Sequence, residues 1–149
     1  MSSNTRQNIM DWILQQEPEF LSIGMGSVTN GLAECEQDGI NMGKEAALKQ
    51  KSMLLEFSKS HGWGILNYVE KFQKFIGGFP ELGDEQVKDI IKKIWITILV
   101  NPAFKTIEPY MKNILEMGIA ECLYSSYNLA WRQTLHEIIY KSKLIENHP

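Results

Sequence analysis

Little in this sequence is basic, thiol-rich or apolar over a long run, and each shortage closes off a class of function. Lys and Arg number 15 against 18 Asp and Glu, for a formal charge of -3. Without a basic excess the chain lacks the electrostatic footprint of a nucleic-acid binder. The deficit is also too small for a solvated acidic tail. Two cysteines, Cys35 and Cys122, are too few for a disulfide framework or, by themselves, a zinc site. They read as buried thiols of a cytoplasmic protein. The longest apolar run, Ile94 to Val100, falls far short of a bilayer span. No transmembrane segment is expected, and a place at a membrane would come through partners. No apolar stretch stands behind the opening Met1-Ser-Ser-Asn-Thr-Arg-Gln7, so no secretory leader is expected either. What is present is a chain of 149 residues, 44% hydrophobic, which is enough to bury one proper core. The expectation is a single domain over 1–149.

Periodicity and breakers divide the chain. Ile9, Met10, Trp12 and Ile13 predict an amphipathic helix over Asn8 to Gln16, stopped at Glu17-Pro18. Phe20 to Leu32 opens a second helical stretch. Gly31, Cys35, Gly39, Gly43 and Ala47 then recur every four residues, which stacks small side chains on one helical face. That spacing suits close helix packing at Gly31, Gly39 and Gly43, and a break or bend is expected near Asp38-Gly39. From Met42 to Ser60, the expected buried residues are Ala46, Met53, Leu54 and Phe57. His61-Gly-Trp-Gly64 reads as a turn. Ile65 to Val69 fits strand or helix, with strand favoured. Gly77 to Gly83 is a loop, and Asp84-Glu85 suits a helix N-terminus.

The run Ile94-Trp-Ile-Thr-Ile-Leu-Val100 is β-branched and aromatic, and Asn101-Pro102 ends it. It predicts a strand. Beyond it, Phe104 to Trp131 has helical spacing, with Pro109 marking the start of the main helix. Gly118, Cys122, Ser126 and Ala130 again stand four apart, another close-packing face. The tail from His136 alternates Ile138, Tyr140, Ser142 and Leu144, which predicts a closing strand; continuation of the helix is the competing reading. Gly31-Leu-Ala-Glu-Cys35 recurs as Gly118-Ile-Ala-Glu-Cys122, and Pro18-Glu-Phe20 recurs as Pro102-Ala-Phe104. Chance or convergent packing is expected over duplication.

Three segments resemble the superfamily of TRAPP (transport protein particle) vesicle-tethering subunits and 4-vinyl-reductase-type domains. They are Phe20-Leu-Ser-Ile-Gly-Met-Gly-Ser-Val28, Asp38-Gly-Ile-Asn-Met-Gly43, and Ile96 to Phe104 with Glu137-Ile-Ile-Tyr-Lys141. The resemblance implies an α+β fold, a small antiparallel sheet packed with long helices. It also implies a dimer, with related subunits as further partners. The alternative is an all-α bundle. His61-Gly-Trp-Gly64 resembles the Trp-Gly step of Bcl-2-type regulators, although Ile65 stands where that family has arginine.

No constellation of reacting groups emerges, so no enzyme and no cofactor are expected. His61 and His136 lack a Cys or His at ligand spacing. Glu34 and Glu121, which the repeated pentapeptide brings to mind as a carboxylate pair, lack the Glu-x-x-His of di-metal bundles. Two functional readings stay open. One is a scaffold or vesicle-tethering-like subunit that works by dimerisation, with Met25, Val28 and Leu32 as the interface. The other is a sensor holding a small apolar ligand among Phe57, Trp63, Phe104 and Trp131.

Overall fold

Breakers in the sequence set most of the helix ends. In a computed structural model, which describes residues 2–61, 68–78 and 80–146, α1 (Ser2–Gln16) stops ahead of Pro18. The single turn α2 (Phe20–Ile23) closes at Gly24, whose φ of 103° few other residues accept. The helices α3 (Gly26–Lys49), α4 (Lys51–His61), α5 (Tyr68–Phe75), α6 (Asp84–Ile98) and α7 (Pro109–Glu146) follow, with a 3₁₀ turn at Pro102–Thr106 before α7. The Gly83 N–H donates to Gln86 Oε1 at 3.2 Å, and Asp84 and Glu85 face the positive end of α6. Asn101 caps the 3₁₀ turn by accepting from Ala103 N–H at 3.1 Å.

No strand is present among the described residues, so the α+β expectation, with its small antiparallel sheet, is overturned. The all-α alternative fits. The strand expected at Ile94 to Val100 is the last turn and a half of α6 and the residues that leave it. Ile94 and Ile98 are fully buried while Ile96 and Val100 are 73% and 78% exposed, a period near four and not two. β-branched residues accept a helix when one face packs this well, because strand preference largely measures packing. The closing strand is likewise the end of α7, where Ile138 and Ile139 are buried and Tyr140 is exposed. Tyr68 and Val69 start α5; Ile65 to Asn67 of that expected strand, and the His61-to-Gly64 turn beyond His61, lie outside the described residues. The break expected at Asp38-Gly39 is absent, since α3 runs on to Lys49 and the interruption falls at Gln50.

The chain divides into two compact units. Unit 1 comprises residues 1–39 and 82–126, and unit 2 residues 40–81 and 127–149. In unit 1 the two copies of the pentapeptide meet. Cys35 Sγ donates to Ile119 O at 3.4 Å, and Cys122 Sγ donates to Leu32 O at 3.6 Å. Each thiol thus reaches the carbonyl three residues before the other cysteine, a reciprocity that defines a local two-fold. The glycines share it. A Cβ on Gly31 would meet Ile94 and Ile98 of α6, and one on Gly118 would meet Ile9 and Ile13 of α1. Phe20 and Phe104, each two residues after a proline, stack with centroids 6.4 Å apart. The echo in the sequence is therefore a packing device used twice.

Unit 2 is built on Leu54, Phe57, Phe72, Trp131 and Leu135, all buried. Of the four residues expected buried in the stretch from Met42, Ala46 is half-buried and Met53 is 49% exposed. Phe57 and Tyr68 pack edge to face at 5.5 Å, and the Trp131 indole donates to Gln50 Oε1 at 2.6 Å. Gly43 lies directly against backbone: a Cβ there would collide with Tyr127 O and sit 3.0 Å from Trp131 N. Backbone cannot step aside as a side chain can. Gly43→Ala is therefore expected to destabilise by about 2 kcal/mol despite its gain of ~1 kcal/mol in helix propensity. Gly118→Ala, which meets only isoleucine side-chain carbons, should cost less than about 1 kcal/mol. Denaturant unfolding of the two variants measures the difference.

Candidate functional site

One concavity of unit 1 follows from a stripe on α6. Ile91, Trp95 and Leu99 stand four apart, which puts them on one helical face, and each is only half-buried. Phe104 of the 3₁₀ turn and Ile107 of the following link complete an apolar lining, and Lys112 and Glu116 of α7 supply the opposite wall. The cavity measures about 550 Å³, within the range of small-molecule sites. Asparagine chemistry holds the turn that carries Phe104. Asn101 Nδ2 donates to Ile23 O at 3.1 Å while its oxygen caps the 3₁₀ turn, so the segment carrying Phe104 is tied to the end of α2.

Trp95 is the best-anchored member. Its indole N–H donates to Glu116 Oε2 at 2.8 Å, and the Lys112 ammonium sits 5.8 Å from the ring centroid. The first contact fixes the ring plane; the second places a cation over its face. Lys92 and Lys105 also line the cavity, so three lysines and one carboxylate, Glu116, are among its lining residues, and that carboxylate is engaged by the indole.

Two other concavities differ in character. One in unit 1, about 520 Å³, lies between α1 and α7, with Trp12, Met117 and Gly118 beside Thr5, Asn8 and Glu121, and carries no cation. One in unit 2, about 450 Å³, is lined by Leu48, Leu55 and Ile138 with Lys51, Lys141 and Glu137, and has no aromatic ring. Neither combines aromatic floor and cation excess.

The residues singled out from the sequence are distributed otherwise than expected. Val28 and Leu32 are each 1% exposed within the core of unit 1, so they cannot face a second copy; Met25, half-buried, accepts from the Thr29 hydroxyl at 2.8 Å through its carbonyl. Gly31, Gly43 and Gly118 do make close packings, and Gly39 is buried. The four aromatics expected to line a pocket are Phe57, Trp63, Phe104 and Trp131. Phe104 lines the groove of unit 1, Phe57 and Trp131 are core residues of unit 2, and Trp63 lies outside the described residues. Sequence reasoning missed Ile91, Trp95 and Leu99 because it read Trp95 within a strand; their four-residue spacing was the signal. Glu34 and Glu121 serve separate surface contacts: Glu34 accepts from Thr97 Oγ1 at 2.6 Å, and Glu121 from Ser125 Oγ at 3.1 Å. His136 is exposed on α7. Among the described residues no group of His, Cys, Asp or Glu is arranged to hold a metal ion.

Charge is managed locally. Lys93 Nζ bonds Asp38 at 2.8 and 3.0 Å, and this contact holds the ammonium pKa above its ordinary value. Buried Glu36, 7% exposed, has Arg6 Nε 3.2 Å away. In unit 2, Glu70 is held below the usual carboxylate range, first by its own backbone N–H and also by Arg132, whose Nη2 donates at 2.6 Å. The Cys122 thiol and burial together push Cys35 far above an ordinary thiol. Both S–H groups donate to carbonyls, a bond only the protonated form can make.

No protein-family model, no curated protein and no solved structure matches this chain. No described helix is long and apolar enough to cross a membrane.

Two outcomes are expected. Cys35 and Cys122 should resist a thiol-specific aromatic disulfide in native buffer and both react once the chain is denatured, since buried, protonated thiols are poor nucleophiles; absorbance of the released thiolate counts them. A carboxyl whose pKa is depressed on folding contributes stability above its unfolded pKa and loses it as pH falls through the folded one. Glu70→Gln should therefore lower stability by a constant amount at neutral and alkaline pH, leave it unchanged at the lowest pH, and so flatten the acid limb, as followed by urea unfolding across that range.

Proposed function

We propose that this chain is a non-enzymatic binding module of the cytoplasm that takes a small apolar ligand into the groove of unit 1. The observation that carries the reading is the stripe Ile91, Trp95 and Leu99, left half-buried and facing Phe104 and Ile107 across an open cavity. Apolar groups left at a concave surface gain free energy when a ligand removes them from water, by roughly 25 cal/mol for each Å² covered. The fixed plane of Trp95 supports the same reading, because a ring already held needs no ordering on binding. Ligand binding makes the protein more stable by mass action, so the site is testable without knowing the natural ligand. With 1-decanol as probe, the melting temperature should rise and calorimetry should show saturable binding. Trp95→Ala should weaken that binding by about tenfold, on the scale of a lost buried aromatic contact. Trp12→Ala, in the other groove of unit 1, should not. Absence of binding, or binding indifferent to Trp95→Ala with helicity intact by circular dichroism, would overturn the reading.

A second reading, self-association as a scaffold, is favoured by Ile96 and Val100, one helical turn apart and 73% and 78% exposed. It moves the interface from Val28 and Leu32 to the outer face of α6. Sedimentation equilibrium would then show a dimer that Ile96→Asp dissociates; a monomer at all concentrations would reject it. The vesicle-tethering role rested on a resemblance implying an α+β fold, and the all-helical architecture gives it no support.

A further inference from the structure

We propose that the groove of unit 1 selects an anionic amphiphile, a single alkyl chain carrying a carboxylate, and that Lys92, Lys105 and Lys112 receive its head. This inference rests on the apolar-ligand reading above and adds the chemistry of the head group. It is carried by charge complementarity. The protein has a formal charge of -3, yet three exposed lysines, Lys92, Lys105 and Lys112, are among the nine residues that line one cavity of about 550 Å³. The single carboxylate there, Glu116, already accepts the Trp95 indole N–H at 2.8 Å. Lys112 lies over the face of that same ring, 5.8 Å from its centroid, so floor and cation are adjacent and a chain on Trp95 brings its head within reach of the ammonium. Lys92 stands one residue after Ile91 on α6, and Lys105 one residue after the buried Phe104. A cavity of about 550 Å³ has room for one short alkyl chain. The groove at α1 has an aromatic floor but no cation, and the groove of unit 2 has cations but no ring.

The test compares three probes of equal chain length, decanoate, 1-decanol and decyltrimethylammonium, by calorimetry on the full chain below their micellar concentrations. Decanoate should bind about tenfold more tightly than decanol at low ionic strength, the sum of several solvent-exposed ion pairs. The cationic probe should bind most weakly. The advantage of decanoate should shrink as salt is raised, since exposed charges are screened. The double variant Lys92→Gln/Lys105→Gln should bring decanoate down to the affinity the same variant shows for decanol, with helicity by circular dichroism reporting that it is folded. If decanol binds as tightly as decanoate, the inference is overturned and the apolar-ligand reading stands. If the preference for decanoate survives the double variant, the head lies elsewhere and the inference is overturned. If neither probe binds, both readings fail. Retention on vesicles of anionic phospholipid without binding of monomeric decanoate would assign the lysines to a membrane surface and overturn the proposal.

Discussion

Two thiols cross between α3 and α7, and each ends on a carbonyl of the opposite helix. The geometry demands small residues on both sides, because two backbones come close enough for a cysteine to span the gap. Gly31 and Gly118 extend the same requirement outward by one turn, where isoleucine pairs from α6 and α1 occupy the space a side chain would fill. A glycine inside a helix costs about 1 kcal/mol relative to alanine. Here it is repaid by buried isoleucine: Ile13, Ile94 and Ile98 are all at 0% exposure, and Ile9 at 6%. Leu32 and Ile119, which follow the two glycines, are buried in the same seam at 1% each.

The groove depends on that seam through α6. Ile94 and Ile98 commit one face of the helix to Gly31, and the face carrying Ile91, Trp95 and Leu99 is turned aside by the helical repeat. Thr97 and Lys93 bind Glu34 and Asp38 of α3 along the edge of the same contact. With α6 rotationally fixed, Trp95 has one orientation, and Glu116 locks its plane. The 3₁₀ turn is held by Asn101 at one end and by the Phe20–Phe104 stack within it. The groove therefore stands on residues whose positions are set by core packing, which is how a shallow site keeps its shape without a ligand.

Much of this was legible in the sequence, unevenly. Proline and asparagine marked Pro18, Asn101 and Pro109 as boundaries, because backbone chemistry acts locally; the end of α2 at Gly24 was read through as one helical stretch. The four-residue spacing of small residues pointed to Gly31, Gly39, Gly43 and Gly118, and a Cβ at Gly31, Gly43 or Gly118 would meet a neighbouring helix. The segment Ile94 to Val100 misled, since β-branched residues carry a strand preference that tertiary burial outweighed. Only the exposure of Ile96 and Val100 separates the two readings, and exposure is not a property of the sequence. The same error hid the groove: Ile91, Trp95 and Leu99 form a stripe only in a helix, and a strand would divide them from one another. Val28 and Leu32 looked like an interface because an apolar stripe on a long helix does not reveal whether its partner lies within the same chain. The pentapeptide echo was visible, but its meaning, two copies facing each other, needed the three-dimensional crossing.

The measurement that tests the account most directly is hydrogen exchange by mass spectrometry, with and without decanoate. The account expects slowest exchange within unit 1 at the seam, in segments around Leu32 to Cys35 and Ile119 to Cys122, independent of ligand. Decanoate should add protection in peptides covering Ile91 to Leu99 and Phe104 to Glu116. Fast exchange at the seam, or ligand protection confined to Thr5 to Trp12 or to unit 2, would contradict it.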